Sequence, residues 1–230
     1  YGNASDDTPS FLAQPDNMAD FIRESVALSD AVGASKKSKK KIHMSFDEWN
    51  VWYQTPDQVD QDEKWSVGRH QLEQKYTMED ALVVGGMLIT LLTHADRVKV
   101  GCIAQVVNVI GPVMTDPGGS AWKQSIYHPF EAAATYGQGT VLHSLIDAPT
   151  YDSKSRDKAS VVMVASVLGE DSLTVFAVNR DPSGQPVELT GNLRGFENWS
   201  GVQHSVLIND DLKARNTADA PSRVAPQSAE

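Results

Sequence analysis

The sequence predicts an α/β unit followed by an all-β unit, and three observations carry that prediction. Helical and strand patterns alternate over residues 1–138 with short turns between them, which is the rhythm of a parallel α/β sheet or barrel. From Gly139 onward the helical period gives way to short strand-like runs separated by turn residues, the pattern of an antiparallel sandwich. Hydrophobic residues make up 40% of the 230 and charged residues 22%, which suits a chain that buries a core rather than one that stays disordered.

The elements follow in order. Asn17-Met-Ala-Asp20 predicts a helix start, with Met18, Phe21, Ile22, Val26 and Ala27 on one face and a left-handed end at Gly33. The lysine run Lys36 to Lys41 reads as a solvated connection rather than an anion site. Ile42 to Phe46 is a short buried strand, followed by a polar loop from Gln54 to Gln74. Thr77-Met-Glu-Asp80 opens a second helix whose body, Ala81 to His94, is apolar nearly all round and therefore buried. Val98 to Ala104 is the second strand, and Pro129 to Tyr136 a further short helix closed by Gly137.

In the second unit, residues 139–230, the strand candidates are Ser160 to Val167, Leu173 to Val178, Val187 to Thr190 and Gln203 to Ile208. Gly169-Glu-Asp171 and Asp181-Pro-Ser-Gly184 are the turns between them. Nothing after Ile208 reads as sandwich core, and the segment from Asp219 onward reads as a solvated polar tail.

Composition excludes several classes. Lys and Arg number 20 against 30 Asp and Glu, a formal charge of −10, which argues against a nucleic-acid partner because such proteins collect cations on one face. The single cysteine, Cys102, excludes an internal disulfide. Its apolar strand predicts a buried, inert thiol. The longest nearly unbroken apolar run, Ala81 to Leu92, is about half of the roughly 20 residues that span a bilayer, so no membrane anchor is expected. The opening residues carry neither a basic nor an apolar leader pattern, so they do not read as a signal peptide. His43 reads as a core histidine inside its strand, and His70, His94, His128, His143 and His204 have no metal spacing. Ser45 lacks the Gly-x-Ser-x-Gly frame of a serine nucleophile. Gly118-Gly119 is a turn, not a phosphate loop. No cofactor and no metal are implied.

The chemistry concentrates in Ser45-Phe-Asp-Glu-Trp-Asn-Val-Trp-Tyr53, immediately after the first strand. Two carboxylates, an amide and three aromatics leave a strand end together. Parallel barrels place their catalytic groups there, and sugar sites set aromatics against ring faces while polar groups take the hydroxyls. Aromatics that merely fill core beside a surface carboxylate fit the composition equally well.

That motif resembles the nucleophile segment of the α-L-arabinofuranosidases of glycoside hydrolase family 51. Glu79 to Gly86, His94 to Lys99, Ala104 to Ile110, Pro112 to Gly119, Ala121 to Tyr127 and Val175 to Asp181 are similar to the same family, in order and at matching spacing. The resemblance implies the last strands and helices of a partial (β/α)8 barrel over 1–138, followed over 139–230 by an incomplete β-sandwich of jelly-roll type. It also implies a chain truncated at both ends relative to the family pattern.

By the same resemblance, Glu48 is the nucleophile of a retaining glycoside hydrolase, at the end of the seventh barrel strand. It has to be ionised, which calls for hydrogen bonds onto its charged form. Trp52 matches the tryptophan walling the arabinofuranose pocket, and Gln105, at the end of the eighth strand, matches a glutamine that bonds sugar hydroxyls. Asp47 and Asn50 read as scaffold. The family's acid/base glutamate belongs to an Asn-Glu pair upstream of the matched segment. Here the only pair of that composition, Glu197-Asn198, is reversed and lies in the sandwich. Glu79 sits in a helix's first turn, where a carboxylate suits the helix dipole without any catalytic role.

The implied substrate is an arabinofuranoside oligosaccharide or polysaccharide side chain, with no nucleic-acid or membrane partner, a cytoplasmic location and a hexameric parent. The isolated chain is expected to turn over little substrate. A noncatalytic sugar-binding or assembly module is the alternative outside the enzyme class; an endoglucanase or β-xylosidase is the alternative within the family.

Overall fold

A computed structural model describes residues 2–53, 67, 73–196 and 201–229. The chain begins with two consecutive helices, α1 (Thr8–Leu12) and α2 (Gln14–Ser35). Asp7 caps α1 by accepting from the Ser10 amide, and Pro15 sits in the first turn of α2, where its missing N–H costs nothing. The helix therefore starts ahead of the Asn17 predicted as its cap. It also runs through Gly33, and the residue with positive φ is Lys37 (φ 49°). Met18 and Ile22 are buried as expected and Val26 is half-buried, whereas Ala27 is exposed and Phe21, also exposed, meets Phe46 edge-on with ring centroids 5.9 Å apart.

Strand β1 spans Met44–Trp49, two residues beyond the predicted start. Arg97 explains the shift. Its guanidinium donates to the Ile42 carbonyl at 3.2 and 2.9 Å and pairs with Asp30, while its own carbonyl accepts from the Met44 amide. The Ile42 carbonyl is thus taken by a side chain before the ladder begins. His43 is exposed, not the core histidine its position suggested.

Helix α3 (Met78–Thr93) opens with a complete capping box between Thr77 and Asp80 and is buried over most of its surface, as its all-round apolar pattern requires. Strand β2 (Val98–Ile103) pairs parallel with β1, with Phe46 opposite Gly101 and Trp49 opposite Ile103. Cys102 is exposed, which corrects the prediction of a buried thiol. β1 and β2 form a two-stranded sheet among the described residues, and residues 99–102 are all exposed.

A hairpin of β3 (Val113–Thr115) and β4 (Ala121–Lys123) turns at Gly118, whose φ of +67° is available to glycine without strain. Helix α4 (Tyr127–Tyr136) follows. The core of this half gathers Leu12, Ile22, Trp49, Tyr76, Val84 and Ile126.

The second half is antiparallel and contains no helix among its described residues, consistent with a sandwich. β5 (Thr140–Leu142), β8 (Val162–Leu168) and β9 (Leu173–Asn179) form one sheet in the order β5-β8-β9, beside a short pair, β6 (Thr150–Tyr151) with β7 (Ala159–Ser160). α3 packs against β8 and β9. The predicted turn at Asp181 to Gly184 forms, with the Gly184 amide on the Asp181 carbonyl. Val187 to Thr190 forms no strand.

The predicted tail is exposed over residues 219–223 and 226–228, but it is fastened rather than free. Strand β10 (His204–Leu207) pairs with β11 (Pro226–Ala229), and Val224 and Ala214 are fully buried against Met78. Asn216 ties the segment down. Its amide donates to the carbonyls of Lys123 and Val224, and its oxygen accepts from the Val224 amide at 2.7 Å. A small polar sequence is held here by specific hydrogen bonds around two buried aliphatic residues. Composition alone does not reveal that arrangement.

Candidate active site

The β1–β2 pairing determines what meets at the strand ends. Trp49 stands opposite Ile103, and the Ala104 amide donates to the Trp49 carbonyl at 3.0 Å. Because the strands are parallel, residues at the end of β1 and residues just past β2 emerge at the same edge. Asp47 and Glu48 lie in the last half of β1, Trp52 three residues past its end and Gln105 two residues past β2. All four side chains are exposed. The Ala104–Gln105 peptide is cis.

The intervening Trp49 and Val51 are buried, and the half-buried Asn50 is fastened. Asn50 donates from Nδ2 to the carbonyls of Ala104 (2.8 Å) and Ile110 (2.6 Å), and its Oδ1 accepts from the Val51 amide. Asn50 is therefore scaffold, as its residue type suggested. The Tyr76 hydroxyl reaches the carbonyls of Val51 at 2.8 Å and Ile110 at 3.1 Å. Gln124, fully buried, accepts from the Tyr76 amide and donates to the carbonyls of Gln74 and Gly111. Gln74 and Tyr53 exchange two bonds, Tyr53 N to Gln74 Oε1 at 2.9 Å and Gln74 Nε2 to the Tyr53 carbonyl at 3.3 Å.

Below this layer lies a buried carboxylate. Asp80 accepts from the Tyr53 hydroxyl at 2.7 Å, from the Thr77 amide at 2.7 Å and from the Thr77 hydroxyl at 2.9 Å. Burial pushes its carboxyl up to about 6 against the pull of those three donors. Burial first, and the Asp80 charge second, raise the Tyr53 and Tyr76 hydroxyls above the ordinary phenol range, so both act as hydrogen-bond donors. Glu79 is also fully buried and takes Asn3 Nδ2, the Thr8 hydroxyl and Lys213 Nζ.

Glu48 itself makes no hydrogen bond or ion pair with another described residue. The donors expected on its charged form are thus not supplied by the described residues, because β1 leaves this side chain facing outward from the packed half. Glu197, Asn198 and His70 lie outside the described residues. No group of three or more His, Cys, Asp or Glu among the described residues is placed to hold a metal ion. No helix among them is long and apolar enough to cross a membrane.

The α-L-arabinofuranosidase C-terminal domain model matches residues 47–230, from the motif carboxylates to the end of the chain. The chain belongs to the α-L-arabinofuranosidases of glycoside hydrolase family 51. It is 47% identical to an intracellular exo-α-(1→5)-L-arabinofuranosidase of Halalkalibacterium halodurans over 94% of its own length and 43% of that protein. It is 48% identical to a protein of the same description from Streptomyces lividans, over 96% of this chain and 33% of that one. A solved family 51 α-L-arabinofuranosidase from Bifidobacterium longum superposes with a TM-score of 0.83 at 34% identity, covering 97% of this chain and 44% of that structure. The chain therefore spans less than half the length of these arabinofuranosidases.

Within this family 51 chain the strand-end motif was legible as local text, and so was Asp80, as the last residue of a capping box. Tyr76, Gln74 and Gln124 were not. Their partners lie up to 50 residues away, and an isolated buried amide or phenol gives no local pattern.

Proposed function

We propose that this chain is the nucleophile-bearing part of a retaining, exo-acting α-L-arabinofuranosidase that releases terminal arabinofuranosyl residues from arabinan or arabinoxylan chains. Residues 1–138 are the closing portion of its (β/α)8 barrel, with β1 and β2 as the seventh and eighth strands. Residues 139–230 belong to its jelly-roll sandwich. The observation that carries the reading is the parallel register of β1 and β2, which brings Glu48, Trp52 and Gln105 to one edge. The relatives, intracellular exo-α-(1→5)-L-arabinofuranosidases, support the substrate class and an intracellular setting.

In this reading Glu48 Oε attacks the anomeric carbon as the glycosidic C–O bond breaks, giving a covalent glycosyl-enzyme. A second carboxyl group, upstream of this segment in the full enzyme, protonates the departing oxygen and then takes a proton from the water that releases the sugar. Trp52 covers a face of the furanose, and Gln105 bonds its hydroxyls. Without the second carboxyl the isolated chain loses on the order of 10²–10⁴-fold in rate. Hexameric assembly belongs to the full enzyme.

The test is intact-mass spectrometry after incubation with an aryl α-L-arabinofuranoside whose leaving group departs with little acid assistance. A pentosyl adduct on Glu48, absent in Glu48→Ala, is the expected result for the chain or for the full enzyme that contains it. No adduct on either sinks the reading and favours a noncatalytic sugar-binding module. An adduct formed only with glucosides or xylosides reassigns the chain to an endoglucanase or β-xylosidase specificity.

A further inference from the structure

The side chains on either side of Trp52 are treated differently from Trp52 itself. Val51 is fully buried, with its amide on Asn50 and its carbonyl on Tyr76. Tyr53 is held through three polar atoms: its amide and carbonyl by Gln74, and its hydroxyl by Asp80 at 2.7 Å. The Trp52 carbonyl accepts from the Gly2 amide at 2.8 Å. Gly2 also lies so close over the Tyr53 ring that a Cβ there would meet ring carbons at 2.5 Å. Trp52 alone is 38% exposed. An exposed indole between rigid neighbours has its Cα–Cβ direction set by them, which is how a supporting layer pre-orders a binding group.

The anchor beneath Tyr53 is itself built from distant parts of the chain. Asp80 is fixed by Thr77 in the α3 cap, and the first two amides of α3 are taken by strap carbonyls. Met78 N donates to Ala214 O at 2.8 Å and Glu79 N to Leu212 O at 2.9 Å. Those amides have no intrahelical acceptor, so residues 211–216 complete the helix end that presents Asp80. Lys213 adds an ion pair to Glu79 at 2.8 Å.

We propose that Tyr53, through its hydroxyl bond to Asp80, is a positioning residue that sets Trp52 as the wall of the sugar site. This rests on the reading of Trp52 given above. Loss of the hydroxyl frees the ring end of Tyr53 while leaving its backbone clasp to Gln74 intact. The consequence falls on sugar binding more than on bond making, because Trp52 contacts the ring face and not the reacting atoms.

A double-mutant cycle tests this in the full-length enzyme carrying this segment, with an aryl α-L-arabinofuranoside as probe. Trp52→Ala is expected to raise KM about tenfold or more, as loss of an aromatic binding face does. Tyr53→Phe is expected to raise KM several-fold with kcat within about threefold, and to have less than a twofold effect once Trp52 is already alanine. An unchanged KM in Trp52→Ala sinks the pocket-wall reading and the proposal with it. A normal Trp52→Ala loss overturns the positioning role alone if Tyr53→Phe has no effect, or keeps its full effect in the Trp52→Ala background. A second measurement does not need turnover. With 5-fluorotryptophan incorporated, the Trp52 resonance, assigned through Trp52→Phe, is expected to shift or broaden in Tyr53→Phe, and an unmoved resonance overturns the proposal.

Discussion

Arg180 Nη1 lies 2.9 Å from Asp16 Oδ2, joining the end of β9 to the first turn of α2 across 164 residues. The guanidinium is 1% exposed and also donates to the carbonyls of Ser160 and Leu12. The antiparallel half is thus seated on the helical half through a buried cation whose donors face fixed acceptors. Arg156, which pairs with Asp16 and Asp20, flanks it.

Removing Arg180 strands two carbonyls and leaves the partly exposed Asp16 with only Arg156, at 3.7 Å, which costs about 2–3 kcal/mol. Arg180→Ala is expected to lower the unfolding free energy by that amount in urea titration. Arg180→Met, which fills the same space without a charge, leaves the two carbonyls unpaired and Asp16 with Arg156 alone, and should lose less. An Arg180→Ala loss under about 1 kcal/mol would show that the two halves are not coupled through this residue.

Asp80 gives a pH signature of the opposite sign from the surface carboxylates. Its folded pKa of about 6 lies above its ordinary 3.8, so the folded state holds the extra proton between those values. Stability from this group is full below pH about 4 and is lost as pH rises through about 6, a change of roughly 3 kcal/mol. Asp80→Asn lacks that titration. The wild-type advantage over the variant is expected to shrink by about this much between pH 4 and pH 7 in denaturant titrations, and a gap independent of pH would refute it.

Two helical glycines predict opposite outcomes for the same substitution. A Cβ at Gly86 would lie 2.6 Å from Pro15 Cγ and 3.1 Å from Met163 Sδ, whereas one at Gly33 meets nothing within 4 Å. Alanine gains about 1 kcal/mol of helix propensity at either site, but overpacking costs about 1–3 kcal/mol where α2, α3 and β8 converge. Thermal melts should show Gly33→Ala raising Tm by a few degrees and Gly86→Ala leaving it unchanged or lower.

Cys102 is exposed on β2. Native protein is expected to take up one equivalent of a maleimide at the same rate, within about threefold, as the urea-unfolded chain. Labelling only after unfolding would return the thiol to the interior.

The C-terminal segment depends on Asn216, two of whose hydrogen bonds clasp Val224 while a third reaches the Lys123 carbonyl. Asn216→Ala strands buried backbone groups of Val224 and should cost about 2–3 kcal/mol. In hydrogen exchange, the loss of protection should be concentrated in residues 204–229 and the first turn of α3.

Local text settled the elements whose cause is local. Thr77 and Asp80 announce α3 because a capping box needs only four adjacent residues. The short apolar runs at Val162–Leu168 and Leu173–Asn179, with Gly169-Glu-Asp171 between them, announce an antiparallel pair, because strand-length runs joined by turn residues fold back as a hairpin. The carboxylates and aromatics of residues 45–53 stand out by residue type, and the family is legible from the same text. What the text left open depends on partners far along the chain. The start of β1 is decided by Arg97, 55 residues beyond Ile42. The fastening of the supposed tail is decided by Asn216 reaching Lys123 and Val224, and the hold on Tyr53 by Gln74 and Asp80. A buried polar group is stable only when its partner arrives. That is a property of the folded arrangement, so only the tertiary structure decided it.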